Sequence, residues 1–324
     1  MDRVAWCAND YLVRSSTAFA LCLALGAAGA CGGAQPRSVP IDLGQGPLAL
    51  EGFAPCSDAA SSGVDLSSDE PLVVIVHGCF SSGAQFRAMS QLFELNEQRT
   101  ICFNYDDRHS LRSVGRTLRR GLDTIRRRAP SREITVLGHS QGGLVSRVAL
   151  SEVEGADDEG GDLHLVTVSS PFSGIAAAEH CGFIWLHIVS FGITPGICQA
   201  ITGHKWTEIH PSARLWNEPR PLHPMVTSHV QILTDEEGTC RRLDDEGECA
   251  EDDLVFSLRE QRNEELESDE RHRSRVLGVG HAAVTGSNGT VPRALVEALH
   301  EEGVLERPGP EQQLAFERLL QRIF

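Results

Sequence analysis

The chain has 324 residues and carries 45 acidic against 29 basic side chains, a net charge of −16. That balance argues against a nucleic-acid partner. Once the first 70 residues are set aside as targeting and linker sequence, about 255 remain, enough for one domain with a small cap.

Residues 1–30 read as an export signal of the lipoprotein type. Arg14 precedes the apolar run Ala18-Phe-Ala-Leu-Cys-Leu-Ala-Leu25, the small residues Gly26 to Ala30 follow, and then Cys31. This is a basic n-region, a short apolar h-region and a small-residue cleavage zone. The apolar run is too short to span a bilayer. Ala28-Gly29-Ala30-Cys31 is similar to the bacterial lipoprotein box, although that box usually has Leu where Ala28 stands. The expectation is lipidation at Cys31, with an ordinary secretory signal as the alternative. The first thirteen residues read as an upstream extension. Residues 31–70 are rich in Gly, Ser, Ala and Pro and are expected to be a flexible tether.

The globular part opens with Pro71-Leu-Val-Val-Ile-Val76, an apolar run that predicts a buried parallel strand ending at His77-Gly78. A helix is expected over Phe86–Leu95, and Thr100–Tyr105 predicts the next strand. Leu111 to Arg128 is helical, with Val114, Leu118, Leu122 and Ile125 on one face and a row of arginines largely elsewhere. Those arginines read as a solvated face; contact with acidic lipid is the weaker option. Ile134–Leu137 and Leu163–Val168 are further strands, with a helix over Gln141–Glu152 between them. The alternation means βαβ units and a mostly parallel sheet flanked by helices, the α/β class.

Regularity breaks over about 171–228, a stretch too long for a plain loop and expected to be a cap or lid. Its apolar segment from Phe183 to Ile193 is either an acyl pocket lining or plain core. His229–Thr234 restores a strand. Between Asp235 and Glu270 there are 16 acidic and 4 basic residues, most simply a solvated excursion because no EF-hand spacing occurs. Arg275–Val279 is the last strand. Helices are expected over Pro292–His300 and in the tail from Glu311.

Ten cysteines in an exported chain invite disulfides. Cys240 with Cys249 and Cys181 with Cys198 bracket short excursions and read as loop staples. Cys56 with Cys102 is a looser pairing, which leaves Cys79 over. No C-x-x-C pair occurs, which disfavours a zinc or thioredoxin-like site.

The chemistry centres on Ile134-Thr-Val-Leu-Gly-His-Ser-Gln-Gly-Gly143. A strand run enters G-x-S-x-G and a helical pattern leaves it, as a nucleophile elbow requires; flanking glycines let the backbone make the sharp turn. Ser140 is therefore the candidate nucleophile. A serine hydroxyl needs a base, and the base needs a carboxylate to hold its tautomer and stabilise the imidazolium. On such a sheet the order is Ser, then acid, then His. His281, just past the last predicted strand in Val279-Gly280-His281, is the best base; His272 and His300 are placed less well. Asp252 is the expected acid, with Asp253 and Asp235 as alternatives. Backbone N–H groups of Cys79 and Gln141 are the expected oxyanion donors. A catalytic role for the Cys79 thiol is disfavoured because no base is evidently paired with it. His77 and His139 are expected to brace loops.

Together His77-Gly78, Gly138-His-Ser-Gln-Gly142, Ser169-Ser-Pro-Phe-Ser-Gly174, Asp252-x-Leu-Val255 and Gly280-His281 resemble the α/β-hydrolase family in its bacterial lipase and esterase branch. Trp206–Ile209 through Pro221-Leu222 is similar to the cap-to-sheet region of the PGAP1-like type. The likeness implies an α/β-hydrolase domain over 71–324 with a Ser140–Asp252–His281 triad, ester cleavage through an acyl-enzyme, and no cofactor or metal. The acidic excursion before Asp252 departs from the family pattern. The implied partner is a small-molecule or lipid ester, with membrane contact through the lipid anchor, in the periplasm or at the outer membrane. Acyl transfer, amide or thioester cleavage on the same fold, and a non-catalytic ligand-binding lipoprotein, are the competing readings.

Overall fold

The computed structural model describes residues 38–58, 63–79, 81–151, 162–175, 205, 207–236, 238–243, 249–252, 255–286 and 289–324. The signal segment and Cys31, most of the expected cap, the Cys181 and Cys198 pair, and Asp253 lie outside them. Twelve strands occur among the described residues. They are β1 (Pro40–Asp42), β2 (Pro47–Ala49), β3 (Phe53–Ala54), β4 (Val64–Asp65), β5 (Leu72–Val76), β6 (Arg99–Phe103), β7 (Ile134–His139), β8 (Leu163–Val168), β9 (Val226–Thr234), β10 (Cys240–Leu243), β11 (Cys249–Asp252) and β12 (His272–Leu277). Seven of them form one sheet in the order β12-β9-β8-β7-β5-β6-β3. All neighbours in it are parallel except β3, which runs antiparallel to β6.

The predicted apolar runs explain this arrangement. In β5 every residue is fully buried. Leu72, Val74 and Val76 join one core cluster, while Val73 and Ile75 join the other. A strand that alternates between two cores lies inside a sheet with both faces covered. The first core holds α2 (Leu111–Arg128) and α3 (Gln141–Ala149), through Val114, Leu118, Leu122, Ile125, Leu144 and Val145. The second holds α1 (Arg87–Leu95) and, from the far end of the chain, α7 (Arg293–Glu301) and α8 (Gln313–Ile323). Short helices α4 (Arg214–Asn217), α5 (Leu258–Gln261) and α6 (Glu264–Glu267) lie between β9 or its approach and β12. On α2, Arg112, Arg116, Arg120 and Arg127 face solvent, but Arg126 is buried. Among the described residues no helix is long and apolar enough to cross a membrane.

The tether expected over 31–70 is corrected by the structure. Residues 40–66 supply β1, β2 and β4, a small three-stranded sheet, and β3 extends the main sheet. Ile41, Leu43, Leu50, Phe53 and Leu66 are buried in the first core. Phe53 is fully enclosed, and its ring lies where a Cβ on Gly121 of α2 would have to go. Enough apolar side chains are spaced through the segment to bind it to the domain, despite its Gly- and Pro-rich composition. A disulfide joins Cys56 to Cys102 in β6, 46 positions away, and Cys240 joins Cys249 across the β10–β11 hairpin. Replacing Cys56 and Cys102 together by alanine is expected to cost about 2–4 kcal/mol through the loop the bond closes. The urea midpoint should fall accordingly, and an unchanged midpoint would show the bond to be thermodynamically idle.

Candidate active site

The carboxyl ends of β5, β7, β8, β9 and β12 lie side by side, and the candidate residues follow them. β7 ends at His139 and α3 begins at Gln141, so Ser140 alone makes the strand-to-helix turn. Its backbone sits at φ 56°, ψ −126°. For a side chain other than glycine this is a costly conformation, held only where its surroundings over-determine it. Those surroundings are specific. A Cβ on Gly138 would strike the Gly142 carbonyl group, and one on Gly142 would strike the carbonyls of Val76 and His77. The Ser140 N–H donates to the Val168 carbonyl at 2.8 Å.

The turn after β5 closes over the serine. An ideal Cβ on Gly78 would lie 2.9 Å from the Ser140 Cβ and 3.4 Å from its Oγ, so only glycine lets the chain pass this closely. His77 fixes the turn. Its Nδ1–H donates to the Gly78 carbonyl at 2.8 Å, its Nε2 accepts the Tyr105 N–H at 3.3 Å, and the Tyr105 hydroxyl donates to the His77 carbonyl at 2.8 Å. Cys79 follows at the rim. Gln141 is the first residue of α3, where the helix leaves its own N–H groups unused.

A buried polar cluster, absent from the sequence expectations, supports these two residues. The Lys205 ammonium donates to Gln141 Oε1 and to the Cys79 sulfur at 3.2 Å, and stands 3.9 Å from an Asp107 carboxylate oxygen. The Cys79 thiol donates to the same Gln141 Oε1 at 2.5 Å, and Gln141 Nε2 donates to the Asp107 carbonyl at 3.0 Å. Burial pushes the Cys79 thiol up despite the adjacent ammonium. A thiol held protonated in this way is a poor nucleophile at neutral pH.

His281 lies past the end of β12 and shares a cleft of about 160 Å³ with Ser140, Gly78, Cys79, Phe86 and His139. The His139 and His281 rings are 4.7 Å apart, and His139 Nε2–H donates to the His281 carbonyl at 3.0 Å. Phe256 meets the His281 ring edge-on at 4.9 Å. Burial, with the neighbouring His139 second, lowers the His281 imidazole to about 2; burial lowers His139 to about 4. Both rings are thus neutral around pH 7.

The described contact at His281 Nδ1 is a hydroxyl. Ser169 Oγ is 2.6 Å from it, and Thr234 Oγ1 is 2.6 Å further on. Ser169 follows β8, next to the elbow strand, and it too has a positive φ, 49°. Asp252 closes β11, where its backbone is paired with Cys240. Asp235 follows β9 directly and donates its N–H to the Leu277 carbonyl at 2.9 Å. Glu236 was not anticipated: its carboxylate lies against Gly280, 2.7 Å from where a Cβ there would stand. The signal that could have found Ser169 was its place at a strand end beside the elbow, the side of the sheet on which the partners of Ser140 must gather.

A sheet of this order, with a serine elbow after its central strand and a histidine after its last strand, has the α/β-hydrolase fold. Residues 67–199 match the family described as "Putative serine esterase (DUF676)". A lipase of Bacillus licheniformis in its propeptide form is similar in fold at 14% identity, TM-score 0.52, over 79% of this chain and 53% of that one. A metagenomic carboxyl esterase is similar at 13% identity, TM-score 0.50, over 76% and 79%. No curated protein matches the chain in sequence.

Proposed function

We propose that the chain is a carboxylic-ester hydrolase of the lipase and esterase branch, with Ser140 as nucleophile and His281 as base. The observation that carries this reading is the strained Ser140 turn facing a neutral, half-buried His281 across one cleft. Ser140 Oγ attacks the ester carbonyl as His281 Nε2 takes its proton. The N–H groups of Cys79 and Gln141 receive the oxyanion. The alcohol leaves with the proton from His281, and an acyl-serine remains. Water then attacks, His281 accepts its proton, and collapse releases the acid and returns the proton to Ser140. Asp252, with Asp253 and Asp235 as alternatives, is the candidate for steadying the imidazolium.

The substrate is a small-molecule or lipid ester. Export, with an anchor at Cys31, is part of the same reading, and the two disulfides suit an oxidising compartment. The test is fluorophosphonate labelling followed by a p-nitrophenyl ester series of increasing acyl length. Labelling and turnover are expected, and rates rising toward long chains support a lipase. A peak at acetate removes that label, and folded protein that neither labels nor turns over any ester sinks the enzyme reading.

A further inference from the structure

Beyond the cleft wall, the Ser169 contact on His281 continues through two more side chains, Thr234 and Gln261, and the direction of this chain is set by its far end. Gln261 is fully buried in α5. Its Nε2 donates to two carbonyls, Thr234 at 2.7 Å and Phe256 at 3.0 Å. Carbonyls only accept, so the amide cannot be turned round, and Oε1 must face Thr234. There it accepts the Thr234 N–H at 2.9 Å and stands 3.4 Å from the Thr234 hydroxyl, so that hydroxyl is directed toward Gln261. Thr234 Oγ1 is then left to accept from the Ser169 hydroxyl, and Ser169 Oγ to accept from His281 Nδ1. Thr234 and Ser169 are both fully buried.

We propose that Ser169, Thr234 and Gln261 form a one-way hydroxyl relay that holds His281 as the Nδ1–H tautomer, with its Nε2 lone pair turned to Ser140. In a catalytic triad a carboxylate fixes the base in this way. In the resting site the Ser169 hydroxyl stands at Nδ1, and Ser169 and Thr234 are positioning residues that act through His281. This proposal rests on the hydrolase reading. The backbone supports it independently. The described non-glycine residues with positive φ are Glu97, Ser140 and Ser169. Two of the three thus flank the same cleft, one carrying the nucleophile and one the group behind the base. Strain of this kind survives where a position demands it.

The relay predicts which substitutions matter. Thr234→Val keeps the shape but removes the acceptor, leaving the Ser169 hydroxyl free to turn and donate to Nδ1, which favours the tautomer that cannot act as base. A loss of about ten- to a hundredfold in kcat, with KM within about twofold, is expected. Thr234→Ser should stay near wild type, and Ser169→Ala should resemble Thr234→Val. Ser169→Asp, whose side chain tolerates a positive φ, should recover turnover and move the acid limb of the pH profile upward. The groups facing that ring are otherwise His139, Ser140 and Phe256, with Glu236 beside Gly280 and Cys79 across the cleft.

Turnover of p-nitrophenyl esters by the full chain is the readout, with near-ultraviolet circular dichroism confirming each fold. Wild-type kcat in folded Thr234→Val and Ser169→Ala overturns the relay while leaving the hydrolase reading intact. A wild type that neither labels with fluorophosphonate nor turns over ester overturns both. Should the variants fail to fold, ¹⁵N–¹H correlation of ring nitrogens in histidine-labelled wild type decides the matter: Nδ1–H at His281 is expected, and Nε2–H overturns the relay.

Discussion

Ser140→Ala is expected to reduce ester turnover by about 10⁵- to 10⁶-fold, the loss seen when the nucleophile of a serine hydrolase is removed. Without the hydroxyl no acyl-enzyme forms, and only substrate binding and the oxyanion donors remain to assist direct attack by water. The fold should survive. Alanine carries the same Cβ that Gly78 already accommodates at close range, and it meets the positive φ at a cost similar to that of serine. What is lost is one buried hydroxyl for which no side-chain partner is needed to build the turn. The variant should therefore melt within a few degrees of wild type while fluorophosphonate labelling disappears. Labelling that persists in a folded Ser140→Ala protein would move the nucleophile elsewhere.

The elbow was legible because it is local. Ten consecutive residues hold the strand, the turn and the start of the helix, and their spacing is visible along the chain. The same holds for α2, predicted over Leu111–Arg128 and found there, because eighteen residues repeat one apolar face. Residues 40–66 were misread for the opposite reason. Their strands are two or three residues long, too short to show a period, and what fixes them is distant: Phe53 against Gly121, Cys56 against Cys102. The surroundings of His281 were illegible for the same cause. Ser169 meets it across 112 positions and Thr234 meets Ser169 across 65. Parallel strands bring such residues together only after the sheet has formed, and a serine or threonine at a strand end carries no mark of that. Lys205 and Asp107, 98 positions apart in the chain by their numbers, meet beside Gln141, and nothing local in the sequence marks that contact.

The second large effect expected is a loss of stability on mild acidification. His77 and His229 are almost wholly buried, His139 and His281 are half-buried, and desolvation lowers all four imidazoles from the usual 6.5. A histidine lowered on folding binds its proton in the unfolded chain first. Above pH 6.5 neither state is protonated and the group is neutral to stability. Below it the unfolded state gains protons that the folded state refuses, so stability falls as pH falls, until the folded value is reached. Each such histidine contributes a slope of about 1.4 kcal/mol per pH unit within its window. His139, lowered to about 4, would alone account for about 3 kcal/mol by the bottom of that range. Asp269, held down to about 2 by its hydrogen bonds from Arg271, adds a loss of the same sign only below its usual 3.8. The urea midpoint should thus hold steady from pH 8 to 6.5 and drop steeply by pH 5. His229→Gln, an uncharged replacement, should flatten the drop by one histidine's share, and a midpoint level from pH 7 to 5 would contradict the account. The consequence for catalysis is specific. His281 stays neutral throughout, so activity per folded molecule should persist well below pH 6.5, and the acid limb of bulk activity should follow the folded fraction rather than titration of the base.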